Sequence, residues 1–279
     1  KSRNIRIEVS SLSIEENRSI FQDGRSCDNR ELIDLCYFDN NSNINVVTIA
    51  DSSFRNMQTL VENSSQIGFN YTHLTHGGCL YIVETSFREK DCPMYDRSEL
   101  ESYIKNVKNS IIIYGGRFPF YMHEERFFNG YVLEKGSFTG SNNLSFDEKK
   151  YYIHKTIELF LSNNNFIVLV YPIPEQGWDV YELYFNKTIE WKDDLGYPTK
   201  IFKERVKSSY LVLDEVNSKK VYKVIPEYIF CDTFIENQCA AKYKNKIFYL
   251  DDDHLSLDGQ DLVSQKIIDQ IKNIILLNN

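Results

Sequence analysis

Three runs in the chain, INVVTIA (44–50), SIIIYGG (110–116) and NFIVLVYPIP (165–174), are apolar almost without a break. A strand with one wet face alternates apolar and polar residues, so a continuous run of this kind is the pattern of a strand covered on both faces. Helical segments lie between and after these runs: SFRNMQTLVENS (53–64), RSELESYIKNVKN (97–109), FDEKKYYIHKTIELFLSN (146–163), PTKIFKERVKSSYLVLDEVNS (198–218) and SLDGQDLVSQKIIDQIKNIILL (256–277). IGFNYTHLT (67–75), KVYKVIP (220–226) and NKIFYL (245–250) are further expected strands. Strands alternating with helices imply an α/β fold, a mostly parallel, doubly wound sheet between two helical layers. That domain is expected over residues 44–279. Residues 1–43, polar and turn-rich, are expected to pack on it as an N-terminal extension, and the aromatic, glycine-rich stretch 117–147 to form a loop or hairpin.

At 279 residues the chain can bury a sizeable core, and 42% hydrophobic with 26% charged residues is an ordinary globular balance. The net charge of −8 comes with no cluster of lysine and arginine, which argues against a nucleic-acid partner, because phosphate binding needs a basic footprint. No apolar run approaches the roughly 18 residues of a membrane span. Neither a P-loop nor G-x-G-x-x-G offers a nucleotide site. The chain opens on Lys1-Ser2-Arg3 without a signal peptide, which reads as a fragment or a processed product. Its six cysteines fall into sequence-local couples, Cys27 with Cys36, Cys79 with Cys92 and Cys231 with Cys239. Six cysteines allow fifteen full pairings, and sequence alone does not choose. The clustering favours three short disulfide loops, each stabilising by roughly 2–3 kcal/mol, and hence an extracytoplasmic location. Six reduced cysteines in a cytosolic protein are the alternative; a zinc site is the weaker one, since no C-x-x-C pair occurs.

In a doubly wound sheet the ligand site lies beyond the carboxyl ends of the strands. Ser52, Gly77-Gly78, Gly115-Gly116-Arg117 and the stretch from Pro172 to Trp178 each follow an expected strand, so they converge on one rim. A serine after a buried strand commonly does no more than cap a helix. At the other end of the chain, YLDDDHLSLDG places Asp251 and His254 three apart in one tight loop. At that spacing a carboxylate can accept from Nδ1–H of the imidazole, fixing the tautomer and leaving Nε2 to take a proton from a hydroxyl. A serine hydroxyl needs such a base to become a nucleophile at neutral pH.

IADSSFRNM (49–57), followed at long range by DDDHLSLDG (251–259), resembles the first and last motif blocks of the SGNH/GDSL hydrolase superfamily. More narrowly, the chain resembles the periplasmic SGNH domain at the C-terminal end of acyltransferase-3 proteins that O-acetylate bacterial surface polysaccharides. The narrower likeness rests on the cysteine couple ahead of the first strand, LTHGGC (74–79), the proline-rich YPIPEQGWDV (171–180), and FCDTFIENQCAAKYKNKIFYLDDDHLSLDGQ (230–260). It implies a three-layer α/β/α fold with a flavodoxin-like sheet, Ser52 as nucleophile, His254 as general base and Asp251 as the carboxylate that orients it. The superfamily's oxyanion hole takes the nucleophile's own N–H, a glycine N–H of the second block, here Gly77 or Gly78, and an Asn side chain of the third. The third is missing, since Gly115-Gly116-Arg117 stands where G-x-N is expected, and Arg117 is the nearest substitute. The first block also departs, with Ala50 for the usual glycine and Ser53 after the nucleophile.

By that resemblance the chain transfers an acetyl group to a hydroxyl of a polysaccharide such as lipopolysaccharide O-antigen, at the periplasmic face of the inner membrane. The domain itself would hold no cofactor and no metal. Acetyl-CoA would be the ultimate donor, through a membrane-spanning acyltransferase-3 domain of the same full-length chain. A carbohydrate acetylesterase with the same triad is the first alternative, an inactive glycan-binding module the second. Of the other rim residues, His73 and His76 are expected to be solvated loop histidines, His123 and Trp178 to lie on rim loops, and His154 to be structural.

Overall fold

The computed structural model describes residues 20–85, 97–123, 126–128, 132–134, 144–180, 183 and 193–278. Its centre is a six-stranded sheet built from β1 (Cys36–Phe38), β2 (Asn45–Asp51), β3 (Asn70–His76), β4 (Ile111–Gly115), β5 (Phe166–Val170) and β7 (Val221–Val224), in the order β7-β5-β4-β2-β3-β1. Every pair is parallel except β1 with β3, an antiparallel edge supplied by the stretch ahead of the first apolar run. The order of the five parallel strands reverses between β2 and β4. That reversal is the topological switch point of a flavodoxin-like sheet, where the crevice opens.

The three apolar runs are β2, β4 and β5, and alternate residues of each enter different cores. Val46, Ala50, Ile111, Ile113, Val168 and Val170 face the layer of helices α1 (Gln58–Ile67) and α7 (Leu257–Asn278), against Leu60, Val263, Ile267 and Ile271. Val47, Ile49, Ile112, Tyr114, Ile167 and Leu169 face α2 (Arg97–Asn106), α4 (Phe146–Ser162) and α5 (Thr199–Asp214), against Ile104, Ile157, Phe160 and Val212. The start of α4 is fixed by a capping box: Ser145 accepts the Glu148 N–H while Glu148 reaches back to the Ser145 N–H. No helix among the described residues is long and apolar enough to cross a membrane.

Several elements differ from the sequence reading. Within the stretch expected to be loop or hairpin, Phe118–His123 (α3) is a helix, and Gln238–Tyr243 is a strand that the apolar pattern did not mark. The helix expected from Ser53 begins at Gln58, because Ser52–Phe54 first makes a 3₁₀ turn that sends Phe54 into the core. NKIFYL is not a strand of the main sheet. Lys246–Ile247 (β9) pairs in a small antiparallel sheet with β8 (Gln238–Tyr243), which also pairs with β6 (Leu195–Pro198), and Tyr249 makes an isolated antiparallel bridge with Leu255. Beyond β9 the chain runs buried and doubles back, the Leu250 N–H reaching the His254 carbonyl at 2.8 Å.

Disulfides join Cys27 to Cys36 and Cys231 to Cys239. The expected Cys79–Cys92 pair involves Cys92, which lies outside the described residues. The side chain of His123 lies outside them too.

Candidate active site

β2 ends at Asp51, which is 1% exposed. Its carboxylate accepts the Ser53 N–H (2.9 Å), the Arg117 N–H (2.7 Å) and the Tyr121 hydroxyl (2.8 Å). Asp51 is therefore the cap of the 3₁₀ turn, and the neighbouring Ser52 hydroxyl is left for other work. The same carboxylate ties the end of β2 to the end of β4. Closeness there explains the paired glycines: a Cβ on Gly115 would stand 2.5 Å from Phe54, and one on Gly116 2.9 Å from Asp51 Oδ2.

Ser52 Oγ meets His254 Nε2 at 3.0 Å. On the other edge of the ring, His254 Nδ1 lies 2.8 Å from Asp251 Oδ2 and 3.0 Å from Oδ1. The loop that carries both residues is braced from within, because Asp251 Oδ1 also accepts the backbone N–H groups of Asp253 (3.1 Å) and His254 (2.7 Å). It is braced from behind by the L-S-x-x-G sequence. The Ser256 N–H donates to the Phe248 carbonyl (2.9 Å), and Gly259 in the first turn of α7 packs so closely that a Cβ would sit 2.1 Å from that same oxygen.

Electrostatics follow from this geometry. Burial alone would raise the Asp251 carboxyl, but the hydrogen bond and charge of His254, with the two backbone amides, hold it down at about 2. Burial works against the His254 imidazolium, yet the carboxylates of Asp253 and Asp251 raise its proton affinity above the ordinary value, with Arg55 opposing them. Asp252 is pushed up to about 6 by burial and the neighbouring Asp253 charge, against the pull of Arg117. The arrangement has the parts of a general-base dyad aimed at a hydroxyl, with a carboxylate behind the base.

Two residues expected in the oxyanion hole are engaged elsewhere. The Gly77 N–H donates to the side-chain carbonyl of Asn29 at 2.7 Å, and Gly78, the other second-block glycine, stands in the left-handed region at φ +66°. The Arg117 side chain is engaged by carboxylates. Its Nε donates to Glu175, Nη1 lies 3.0 Å from Asp253 and Nη2 3.5 Å from Asp252. A guanidinium with three carboxylates around it stays with them.

His73 is a correction of another kind. It is fully buried in β3 between the Tyr71 hydroxyl (3.0 Å) and the Thr75 hydroxyl (2.9 Å), and burial pushes its pKa down to about 3, so it is a neutral core residue. His76 is half-buried at the rim, its Nδ1 3.2 Å from the Gly77 carbonyl. Trp178 packs edge-on against Tyr197. His154 Nε2 meets the Val212 carbonyl at 2.8 Å and joins α4 to α5. Sequence reasoning missed Asp51, Asn29, Glu175 and Arg205 as site-building residues. Arg205 did leave a signal, since it shares the apolar stripe of α5 with Phe202, Val206, Ser209 and Val212. A charge on a buried stripe requires a buried partner, and the partner is Glu175, at 2.8 Å.

Comparison with known proteins gives the family. No curated protein sequence matches the chain. Among solved structures, the periplasmic domain of the lipopolysaccharide acetyltransferase of Salmonella ser. Paratyphi A is similar at a TM-score of 0.55 and 16% identity, over 89% of this chain and 92% of that one. An acetyl xylan esterase is similar at 0.47 and 13%, over 82% and 100%. A GDSL-like lipase from Bacteroides thetaiotaomicron is similar at 0.44 and 13%, over 82% and 88%. The family model described as "SGNH domain (fused to AT3 domains)" matches residues 21–269, nearly the whole chain, and the protein belongs to that family.

Proposed function

We propose that this domain transfers an acetyl group, through an acyl-enzyme on Ser52, to a hydroxyl of a bacterial surface polysaccharide such as lipopolysaccharide O-antigen. One observation carries the reading: Ser52 Oγ, His254 Nε2, His254 Nδ1 and Asp251 lie in sequence at hydrogen-bond distances of 3.0 and 2.8 Å. In the first half-reaction Ser52 Oγ attacks the acetyl carbonyl while His254 takes its proton and then returns it to the departing donor. In the second, the glycan hydroxyl attacks the acetyl-serine and gives its proton to His254, which passes it to the released Ser52 oxygen. Asp251 stabilises the imidazolium in both. The Ser52 N–H and Gly78 would receive the oxyanion.

The acyl donor would come from a membrane-embedded acyltransferase-3 domain, supplied in turn by acetyl-CoA, as the fusion typical of the family suggests. Disulfides at Cys27–Cys36 and Cys231–Cys239 fit an oxidising compartment, and the periplasm is the one proposed.

The test compares acetyl transfer to polysaccharide with release of free acetate. Ser52→Ala and His254→Ala should each lower acetylation by a factor of roughly a thousand or more, while unfolding stability stays within about 1 kcal/mol of wild type. Asp251→Asn should lose less. Release of acetate at the same rate with and without glycan would instead make the domain an esterase. Full activity of Ser52→Ala would refute the serine mechanism.

A further inference from the structure

The Nδ1 edge of His254 carries more negative charge than orientation of the ring requires. Asp251 already holds the ring with both oxygens, yet Asp253 Oδ1 stands only 3.3 Å from the same nitrogen. The other Asp253 oxygen lies 3.0 Å from Arg117 Nη1. Arg117 is anchored in turn by Glu175, whose second oxygen accepts from Arg205 Nε at 2.8 Å. Asp253 is 8% exposed, Glu175 4% and Arg205 6%, so solvent and salt screen this chain of charges weakly. The backbone adds a tie between the two loops, the Gln176 N–H donating to the Asp252 carbonyl at 2.7 Å.

We propose that Asp253 is a positioning residue for His254, a second carboxylate on its Nδ1 edge, and that Arg117 holds Asp253 there and limits the negative charge reaching the imidazole. The inference rests on the serine mechanism proposed above and deepens it. A general base must be neutral before attack and must accept a proton during it. A carboxylate beside it helps the second requirement and hinders the first. Asp251 and Asp253 from its own loop face His254, as do Arg55 from the nucleophile turn and Asp28 from the N-terminal disulfide loop; Arg117 and Asp252 stand behind Asp253. Within that set, Arg117 is the cation bound directly to the second carboxylate. Its removal and the removal of Asp253 must therefore act on His254 in opposite directions, which a merely structural role would not produce.

The experiment measures the rate at which Ser52 is labelled by a fluorophosphonate, and kcat/KM for nitrophenyl acetate, from acid to alkaline pH. Wild type, Arg117→Gln, Arg117→Lys, Asp253→Asn and Ser52→Ala are compared. Activity rises as His254 loses its proton, so a raised proton affinity moves the rising limb to higher pH. In Arg117→Gln the midpoint should move up by on the order of one unit, making the variant about tenfold slower below it. In Asp253→Asn it should move down, and Arg117→Lys should stay near wild type. If Arg117→Gln does not fold, the direction seen in Asp253→Asn decides alone. Unmoved midpoints with lowered plateaus would overturn the inference and leave the serine mechanism standing. No labelling of wild type above the Ser52→Ala background would overturn both, a different result from the first.

Discussion

Two buried carboxylates flank the site, and they are stabilised by different means. Asp51, below the nucleophile, accepts from two backbone N–H groups and a tyrosine hydroxyl. Glu175, behind the base, is held between the guanidiniums of Arg117 and Arg205. Burial alone would raise the Glu175 carboxyl, but the two arginines keep it down at about 2. Neutral donors fix geometry without adding charge, which suits a turn that presents a hydroxyl for attack. Paired guanidiniums fix geometry and adjust the field, which suits a loop whose histidine must change charge during a reaction. The nucleophile side is organised by dipoles, the base side by ions.

The largest effect expected from this contrast is on the ionic side. Glu175→Ala would leave Arg117 and Arg205 buried without their shared partner, and losing one member of a buried ion pair costs about 3–5 kcal/mol. Chemical denaturation of the purified domain measures it. A loss below about 1 kcal/mol would mean that water reaches the arginines and that the base side is not ionic in the sense argued. Acid adds a second reading. With its folded-state pKa near 2 and an unfolded value of about 4.3, Glu175 contributes stability that is present above about pH 4 and lost as pH falls through 2. Glu175→Gln should flatten the acid limb of the stability profile, while the limb from Asp251, also held at about 2, remains.

On the dipolar side the expected effect is smaller. In Asp51→Asn one side-chain oxygen becomes an NH₂ group. Whichever way the amide turns, the Ser53 N–H or the Arg117 N–H loses its acceptor, at about 1–3 kcal/mol for a buried donor left unpaired. Stability should fall by that amount, and labelling of Ser52 should slow because the turn that presents it is no longer pinned to β4. Unchanged labelling in a destabilised protein would separate the two functions assigned to Asp51.

This contrast also marks what could be read from the sequence. The apolar runs specified β2, β4 and β5 because a strand buried on both faces has few other ways to hide its side chains, and the helical periodicity specified α4, α5 and α7. That Ser52, Asp251 and His254 would meet was legible because their placement depends on local spacing and on the ends of adjacent strands. What escaped was long-range pairing between short, irregular segments. Asn29 reaches Gly77 across 48 residues and Arg117 reaches Glu175 across 58, and no periodicity records either contact. NKIFYL misled for a related reason. It is as apolar as a sheet strand, but beyond the two residues of β9 it is buried as chain that doubles back, the turn closed by the His254 carbonyl. The delayed start of α1 was hidden in the same way, since propensity does not show that Phe54 fills the space left by Gly115.

The smallest expected effect comes from a pair that resembles the ionic side in geometry and differs in place. Arg25 Nη1 lies 2.7 Å from Asp34 on the surface of the N-terminal disulfide loop, with the two side chains 61% and 45% exposed. Buried Arg205 lies at nearly the same distance, 2.8 Å, from Glu175. Water solvates both members of the surface pair when it opens, and salt screens them when it closes, so little is gained by closing it. Arg25→Ala should therefore leave the unfolding midpoint indistinguishable from wild type, at low and at high salt alike. Should Arg25→Ala destabilise as much as Glu175→Ala, distance rather than burial would govern the worth of these pairs. The division of the site into a dipolar side and an ionic side would then lose its physical basis. A null result for Arg25 beside a large one for Glu175 would locate the electrostatic stabilisation where the chain is driest, directly behind the base.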